Sequence, residues 1–403
     1  MGKAKTALRL AGVLGLAFGA LVSLRAQDLA GGTNSESGQV VTAFLDYHEV
    51  NYSFVNWGLP LTAKSSAFKK EPTFSRGKVT RGTLQLRGGA SNDLALAWDR
   101  TAGKLYLDLN RNLDLTDDAG GVFVREKGDP DFYQTFTNIY LPFTAAAVRR
   151  PMLADLTFHD YGRPSGSVAM RSFWQGKVTL QGEEWQVGLV GNPLEQRPSL
   201  ESGSLLLRPW TDRNKPFSLY SGSLDAMQFS RKLFVGNHAY LLRCSNENQG
   251  ASSKVRVQFT EQQPSLGELK ITGEYVQRVT LEGGPYLVVL DKPQAVVKVP
   301  VGSYGQTKVG LKKGDAEAYL DARTQSAAGR IAVNETKPAV LAVGGPLTNS
   351  VSISRQGKKL SLNYQLAGVG GAYQLVNQDR SHPPEFAVYQ GDKKIASGKF
   401  EFG

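Results

Sequence analysis

The densest run of side-chain oxygens in the chain is Asp108-Leu109-Asn110-Arg111-Asn112-Leu113-Asp114-Leu115-Thr116-Asp117-Asp118. Oxygen-bearing side chains stand at alternate positions from Asp108 to Thr116, and two further carboxylates follow. Calcium takes six to eight oxygen ligands, and a tightly curled loop can turn alternate residues inward to supply them. The spacing therefore predicts a structural calcium site, with Asp108, Asn110, Asn112, Asp114, Thr116 and Asp118 as its ligands. The four carboxylates of this run are opposed only by Arg111. They repel one another if the loop curls, and a bound cation would turn that repulsion into stability. Two other readings stay open: a solvated turn, since Asp and Asn stabilise turns by local hydrogen bonds, and an acidic cluster that contacts a ligand or substrate.

The run Asp108-x-Asn110-x-Asn112-x-Asp114 resembles the calcium loops of EF-hand and dockerin-type proteins. The resemblance implies that Asp114 gives its backbone carbonyl and that Thr116 acts directly or through water. It departs at Leu113, where those loops turn on a glycine, and at Ala119, where they close on an acidic residue. A second stretch, Val299-Pro300-Val301-Gly302-Ser303-Tyr304, resembles the Pro-x-Gly-x-Tyr corner of transthyretin-like and carboxypeptidase-regulatory-like modules. That likeness implies a non-catalytic accessory β-sandwich over residues 269–320.

Other chemistry is sparse. His48, His159, His238 and His382 form none of the closely spaced pairs that ligate metals. His159-Asp160 beside Tyr161 reads as a surface loop or a local hydrogen-bonded pair. No nucleophile elbow and no phosphate-cradling glycine loop between strand and helix occurs. Glu183-Glu184 before Trp185 reads as a hairpin turn facing water. Trp98 and Trp185 sit in alternating strands and belong to a core, whereas Trp57 and Trp210 lie in loop-like stretches. Cys244, the single cysteine, falls in a strand and reads as an inert buried thiol.

The elements that must position these residues are short. The chain holds 44 Gly and 18 Pro, and between them lie apolar or alternating runs of strand length. The fold class expected is all-β and multidomain, with antiparallel β-sandwich-like domains and long loops. Leu94–Trp98 with Lys104–Leu107 reads as one hairpin, and the acidic loop hangs from its second strand. Lys177–Leu180 with Trp185–Val190 reads as another. Phe132, Tyr133, Phe136 and Tyr140 have roughly helical spacing, which predicts one short helix with a core-facing aromatic stripe, a ligand platform being the other reading. The domains expected are residues 1–26 as a signal peptide, 27–262 as a β-rich domain carrying the acidic loop, 263–336 as a sandwich-like domain and 337–403 as a small β domain.

Residues 1–26 combine Lys3, Lys5 and Arg9 with an apolar run from Ala11 to Leu24, the pattern of an export signal. The run is shorter than the roughly 20 residues of a bilayer-spanning helix, and no later stretch is long and apolar enough to cross as one. The chain carries 47 basic and 36 acidic residues. Four of the basic ones lie in the leader, so the remainder carries only +7, mixed along its length. No basic tract with interleaved aromatics marks nucleic-acid binding. The leading expectation is an exported, non-enzymatic binding or structural protein, periplasmic or secreted, with carbohydrate or another surface protein as partner. The alternatives are a polysaccharide hydrolase acting through loop carboxylates, which needs a cleft, and a surface-assembly component, which needs a long open sheet edge or an apolar patch.

Overall fold

The computed structural model describes residues 38–400 apart from 60, 63–67, 87–92, 142–143, 146–147, 150, 195–199, 218–223, 250–251, 324–328, 358 and 377–382. The leader, the polar stretch that follows it and His382 lie outside the described residues. No described helix is long and apolar enough to cross a membrane.

The described chain is all-β and is arranged in several sheets. The largest runs through fifteen strands, from Ala226–Gln228 at one edge to Gly344–Gln356 at the other. Both expected hairpins are present. Leu94–Asp99 pairs with Lys104–Leu107, and Ser172–Leu180 pairs with Glu183–Val190. The second turns on Gln181-Gly182 alone, with φ of 50° and 84°. Two successive positive φ values match the twist of a tight hairpin. Glu183 and Glu184 therefore stand on the returning strand, where Glu184 forms an ion pair with Lys177.

Two cores meet at one wall of the large sheet. Lys232–Val235 runs parallel to Leu287–Asp291, with Leu233, Phe234 and Val235 opposite Leu287, Val288 and Val289. Successive strand residues point to opposite faces. Leu233, Val235, Leu287 and Val289 enter the larger core, and Phe234 and Val288 enter the smaller. Burial on both faces explains why these strands read as unbroken apolar runs. Each such side chain contributes about 2 kcal/mol by leaving water.

The smaller core is closed by two tyrosines that fold back in the same way. Tyr304 donates its hydroxyl to the Pro300 carbonyl at 2.8 Å, and Tyr373 donates to the Val369 carbonyl at 2.8 Å. Each span is four residues, with a glycine (Gly302, Gly371) two residues before the tyrosine. The Tyr373 hydroxyl also accepts the Gly344 amide at 2.6 Å. The bonds to the Pro300 carbonyl and from the Gly344 amide are buried, where an unpaired backbone group is costly.

The expected helix near residue 132 is corrected to a strand, Tyr133–Leu141. Its neighbour Met152–Asp160 pairs Ala154 with Ile139 and Leu156 with Phe136, so two residues, Thr137 and Asn138, face Asp155 alone. Asn138 takes φ +61° at this bulge. The helical spacing in the sequence mixes the two faces of this strand, outward Tyr133 and Tyr140 with inward Phe136, and the extra residue lengthens the last step from three residues to four.

Candidate functional site

The acidic loop follows the strand Lys104–Leu107 and curls back on itself. Asp108 is buried, and its carboxylate accepts the amides of Asn112 at 3.1 Å and Leu113 at 3.0 Å. Asn110 Oδ1 accepts the Asn112 amide at 3.0 Å, and Asn112 Oδ1 accepts the Asp114 amide at 2.7 Å. Asp114 accepts the amide of Thr116 at 2.8 Å and also its hydroxyl. Those two bonds hold its carboxyl below the usual range. Asp117 receives the side-chain amides of Asn110 and Asn112, and Asp118 accepts the Asn110 amide at 3.1 Å. Burial, joined by the charges of Asp108 and Asp117, pushes the Asp118 carboxyl up.

This arrangement corrects the expectation of a calcium site. Among the described residues no group of three or more His, Cys, Asp or Glu side chains is placed to hold a metal ion. The residues named as ligands, Asp108, Asn110, Asn112, Asp114, Thr116 and Asp118, are brought together. Their oxygens, however, go mostly to amides and hydroxyls of the loop itself. The loop also acts as a clip. Leu113 accepts the Lys69 amide at 2.8 Å, and Leu115 donates its amide to the Lys70 carbonyl at 3.1 Å. Leu115 packs with Ala97, Tyr106, Phe68 and Phe74 in a small core of their own. The acidic run thus fastens the segment around Lys70 to the sheet that holds Leu94–Asp99 and Lys104–Leu107.

The aromatic stripe expected to face the core points mostly outward. Only Phe136 is buried, while Phe132 is 49 %, Tyr133 39 % and Tyr140 51 % exposed. Phe132 and Tyr133 join His159 and Tyr161 in one cluster. Tyr133 lies opposite His159 across antiparallel strands, with ring planes 15° apart and centroids 6.4 Å apart. Tyr161, 71 % exposed, stands 5.3 Å from His159 and 5.7 Å from Phe132. The base beneath is pinned. Asp160 donates its amide to the Phe132 carbonyl at 2.9 Å and pairs with Arg100 at 2.5 Å. Ser165 Oγ lies 3.1 Å from His159 Nδ1. Tyr161 is tilted 54° to Phe132 and 40° to His159, so the exposed rings form an angled cluster. Each ring offers an apolar face to the C–H face of a sugar, with the polar tips left for the rim. His159-Asp160-Tyr161 was visible in the sequence. Its partner doublet Phe132-Tyr133 was visible too, but its spacing put it in a core-facing helical stripe rather than on an exposed surface.

A groove of about 1090 Å³ is lined in part by Asp212, Lys215, Asp225, Arg278, Asp291 and Tyr364. Arg278 Nη1 stands 3.7 Å from Asp225 and 3.8 Å from Asp291. Arg208, also buried, lies 3.7 Å from the other Asp225 oxygen and donates from Nε to Gln186 at 2.7 Å. Burial pushes the Asp291 carboxyl up against the pull of Arg278 and Lys292. Asp225 and Asp291 thus compensate buried guanidinium groups, while Asp212 pairs with the exposed Lys215 at 2.9 Å.

The remaining sequence candidates have structural settings. Trp98 is fully buried and donates to Gln134 at 2.8 Å, and Trp185 is buried as expected. Trp57 packs against the larger core, and Trp210 is flanked by Lys177 and Arg213 at 5.2 and 5.1 Å. His238 pairs with Glu261 at 2.8 Å. Burial pushes the Cys244 thiol up to about 12, which leaves it without thiolate character. No protein-family model matches the chain, and no curated protein or solved structure does so.

Proposed function

We propose that this is an exported, non-enzymatic β-rich binding protein whose ligand surface is the ring cluster of Phe132, Tyr133, His159 and Tyr161, and whose ligand is a flat, β-linked polysaccharide. The observation that carries the reading is the exposure of three large rings held together on a pinned strand edge. Leaving such rings in water is unfavourable for a chain with ample core, and clustered exposed apolar surface marks an interaction site. Two sugar faces along a chain could cover Tyr161 and Tyr133 in succession. The tyrosine hydroxyls would meet the sugar hydroxyls at the rim. The ion-paired state of the groove carboxylates favours binding over hydrolysis. Export rests on the leader-like pattern of residues 1–26.

The test is depletion of the protein from solution by microcrystalline cellulose and by chitin. Retention on either polymer, without release of soluble sugar, is expected. Full recovery of the protein from both supernatants would remove the reading.

A further inference from the structure

The far edge of the large sheet is the strand Gly344–Gln356, paired on one side with Lys359–Val369. From Thr348 to Gln356 no other described strand lies beside it. Alternate residues of this ribbon separate by chemistry. One face carries Val351 and Ile353, opposite Tyr364 and Leu362, with Leu360 near the tip. The other carries Ser350, Ser352 and Ser354, opposite Gln365, Asn363 and Ser361. The apolar face is covered at Tyr364, where Phe400 packs 5.4 Å away and Phe386 packs on Phe400. Toward the tip the cover ends. Val351 is 43 %, Ile353 68 % and Leu360 59 % exposed. A long edge with one apolar face, no proline from Leu347 to Gln356 and a single charged residue, Arg355, lacks the usual defences against strand addition.

We propose that this edge pairs with the same edge of a second copy of the chain, antiparallel and centred on Ser352. The occupant is chosen by the strand itself. Ser350-Val351-Ser352-Ile353-Ser354 reads almost the same in both directions. A two-fold interface places one surface against itself, so residue i meets j and j meets i. About Ser352, Val351 faces the copy's Ile353, Ser350 faces Ser354, and Asn349 faces Arg355. Like faces align, so the two half-covered apolar patches become one and the serine faces stay in water. The two copies of Arg355 are six residues apart along the pair, about 20 Å at the strand rise. That is well beyond the screening length at physiological ionic strength. Pairing also satisfies the outward backbone groups of both edges.

The experiment uses the full chain. Sedimentation is expected to show a dimer forming at concentrations up to about 100 µM, the range of a weak interface. Ile353→Lys, at an exposed position, is expected to weaken it tenfold or more while leaving the circular dichroism spectrum unchanged. In the dimer this substitution sets two cations about two residues apart. Ser352→Cys is expected to cross-link under mild oxidation, because the axis brings residue 352 opposite itself within disulfide reach. Ser350→Cys is expected not to, because its mate is four residues away. A monomer throughout the range, a dimer indifferent to Ile353→Lys, or cross-linking by Ser350→Cys in place of Ser352→Cys would each overturn the pairing. Polysaccharide retention through the ring cluster is read separately, so failure of one does not imply failure of the other.

Discussion

The carboxylate of Asp108 accepts the Leu113 amide at 3.0 Å, five residues along, and so closes the acidic loop on itself. Asp108 is buried and makes a second bond to the Asn112 amide. Removing it would strip the Leu113 amide of this partner and leave the Asn112 amide with Asn110 Oδ1 alone. Asp108→Ala is expected to destabilise the protein by about 2 to 3 kcal/mol, the scale of hydrogen bonds to a charged acceptor. Urea denaturation checks this. Because the loop is closed by its own bonds, added chelator or added calcium is expected to leave Tm unchanged.

Glu282 and Lys308 form an ion pair at 2.7 Å with both side chains buried. Glu282 also accepts the Gln228 amide at 3.1 Å. Removing one charge strands the other in a low-dielectric setting. Lys308→Met alone is expected to cost about 3 to 4 kcal/mol. The double variant Lys308→Met with Glu282→Leu is expected to recover much of that loss, because a well-packed apolar pair often equals a buried ion pair. Chemical denaturation of the two single variants and the double variant reads the coupling.

Asp99 supplies a pH signature. Burial raises its carboxyl, but hydrogen bonds from the Ser75 hydroxyl and from the amides of Ser75 and Ala102 outweigh burial and hold it below the usual range. A depressed carboxyl contributes stability that is complete above the unfolded pKa, about 3.9, and fades as pH falls through the folded value. Asp99→Asn is expected to cost about 2 kcal/mol at neutral pH. The gap from the parent protein should narrow below about pH 4. Denaturation midpoints measured from neutral to acid pH follow it.

Much of the fold was legible because local chemistry settles it. The hairpin at Leu94–Asp99 and the turn at Gln181-Gly182 are set by short-range alternation and by a glycine that tolerates positive φ. The parallel pairing of Leu233–Val235 with Leu287–Val289 was not legible, since those strands lie more than fifty residues apart and alternation does not specify a distant neighbour. Aromatics from both faces of the strand Tyr133–Leu141, with the bulge at Asn138 between Phe136 and Tyr140, gave a helix-like spacing that read as core. The oxygen spacing of the acidic loop predicted a calcium site, and the loop instead curls around its own amides. A curl that binds a cation and one that binds its own amides share the same residue types, and only the hydrogen bonds separate them.

The tyrosine corners give a further check. Tyr373→Phe removes both the bond to the Val369 carbonyl and the acceptor for the Gly344 amide. Tyr304→Phe removes only the bond to the Pro300 carbonyl. The first is expected to cost about 2 kcal/mol and the second about 1 kcal/mol. Thermal unfolding of the two variants side by side measures the difference.

Calorimetric titration of the protein with soluble cello- and chito-oligosaccharides bears most directly on the ring cluster. Saturable binding is expected for the parent chain. Tyr161→Ala and Phe132→Ala, both at exposed positions, are each expected to raise Kd tenfold or more, about 1.4 kcal/mol. Absence of binding by the parent, or unchanged Kd in both variants, would contradict the assignment of these rings as the ligand surface.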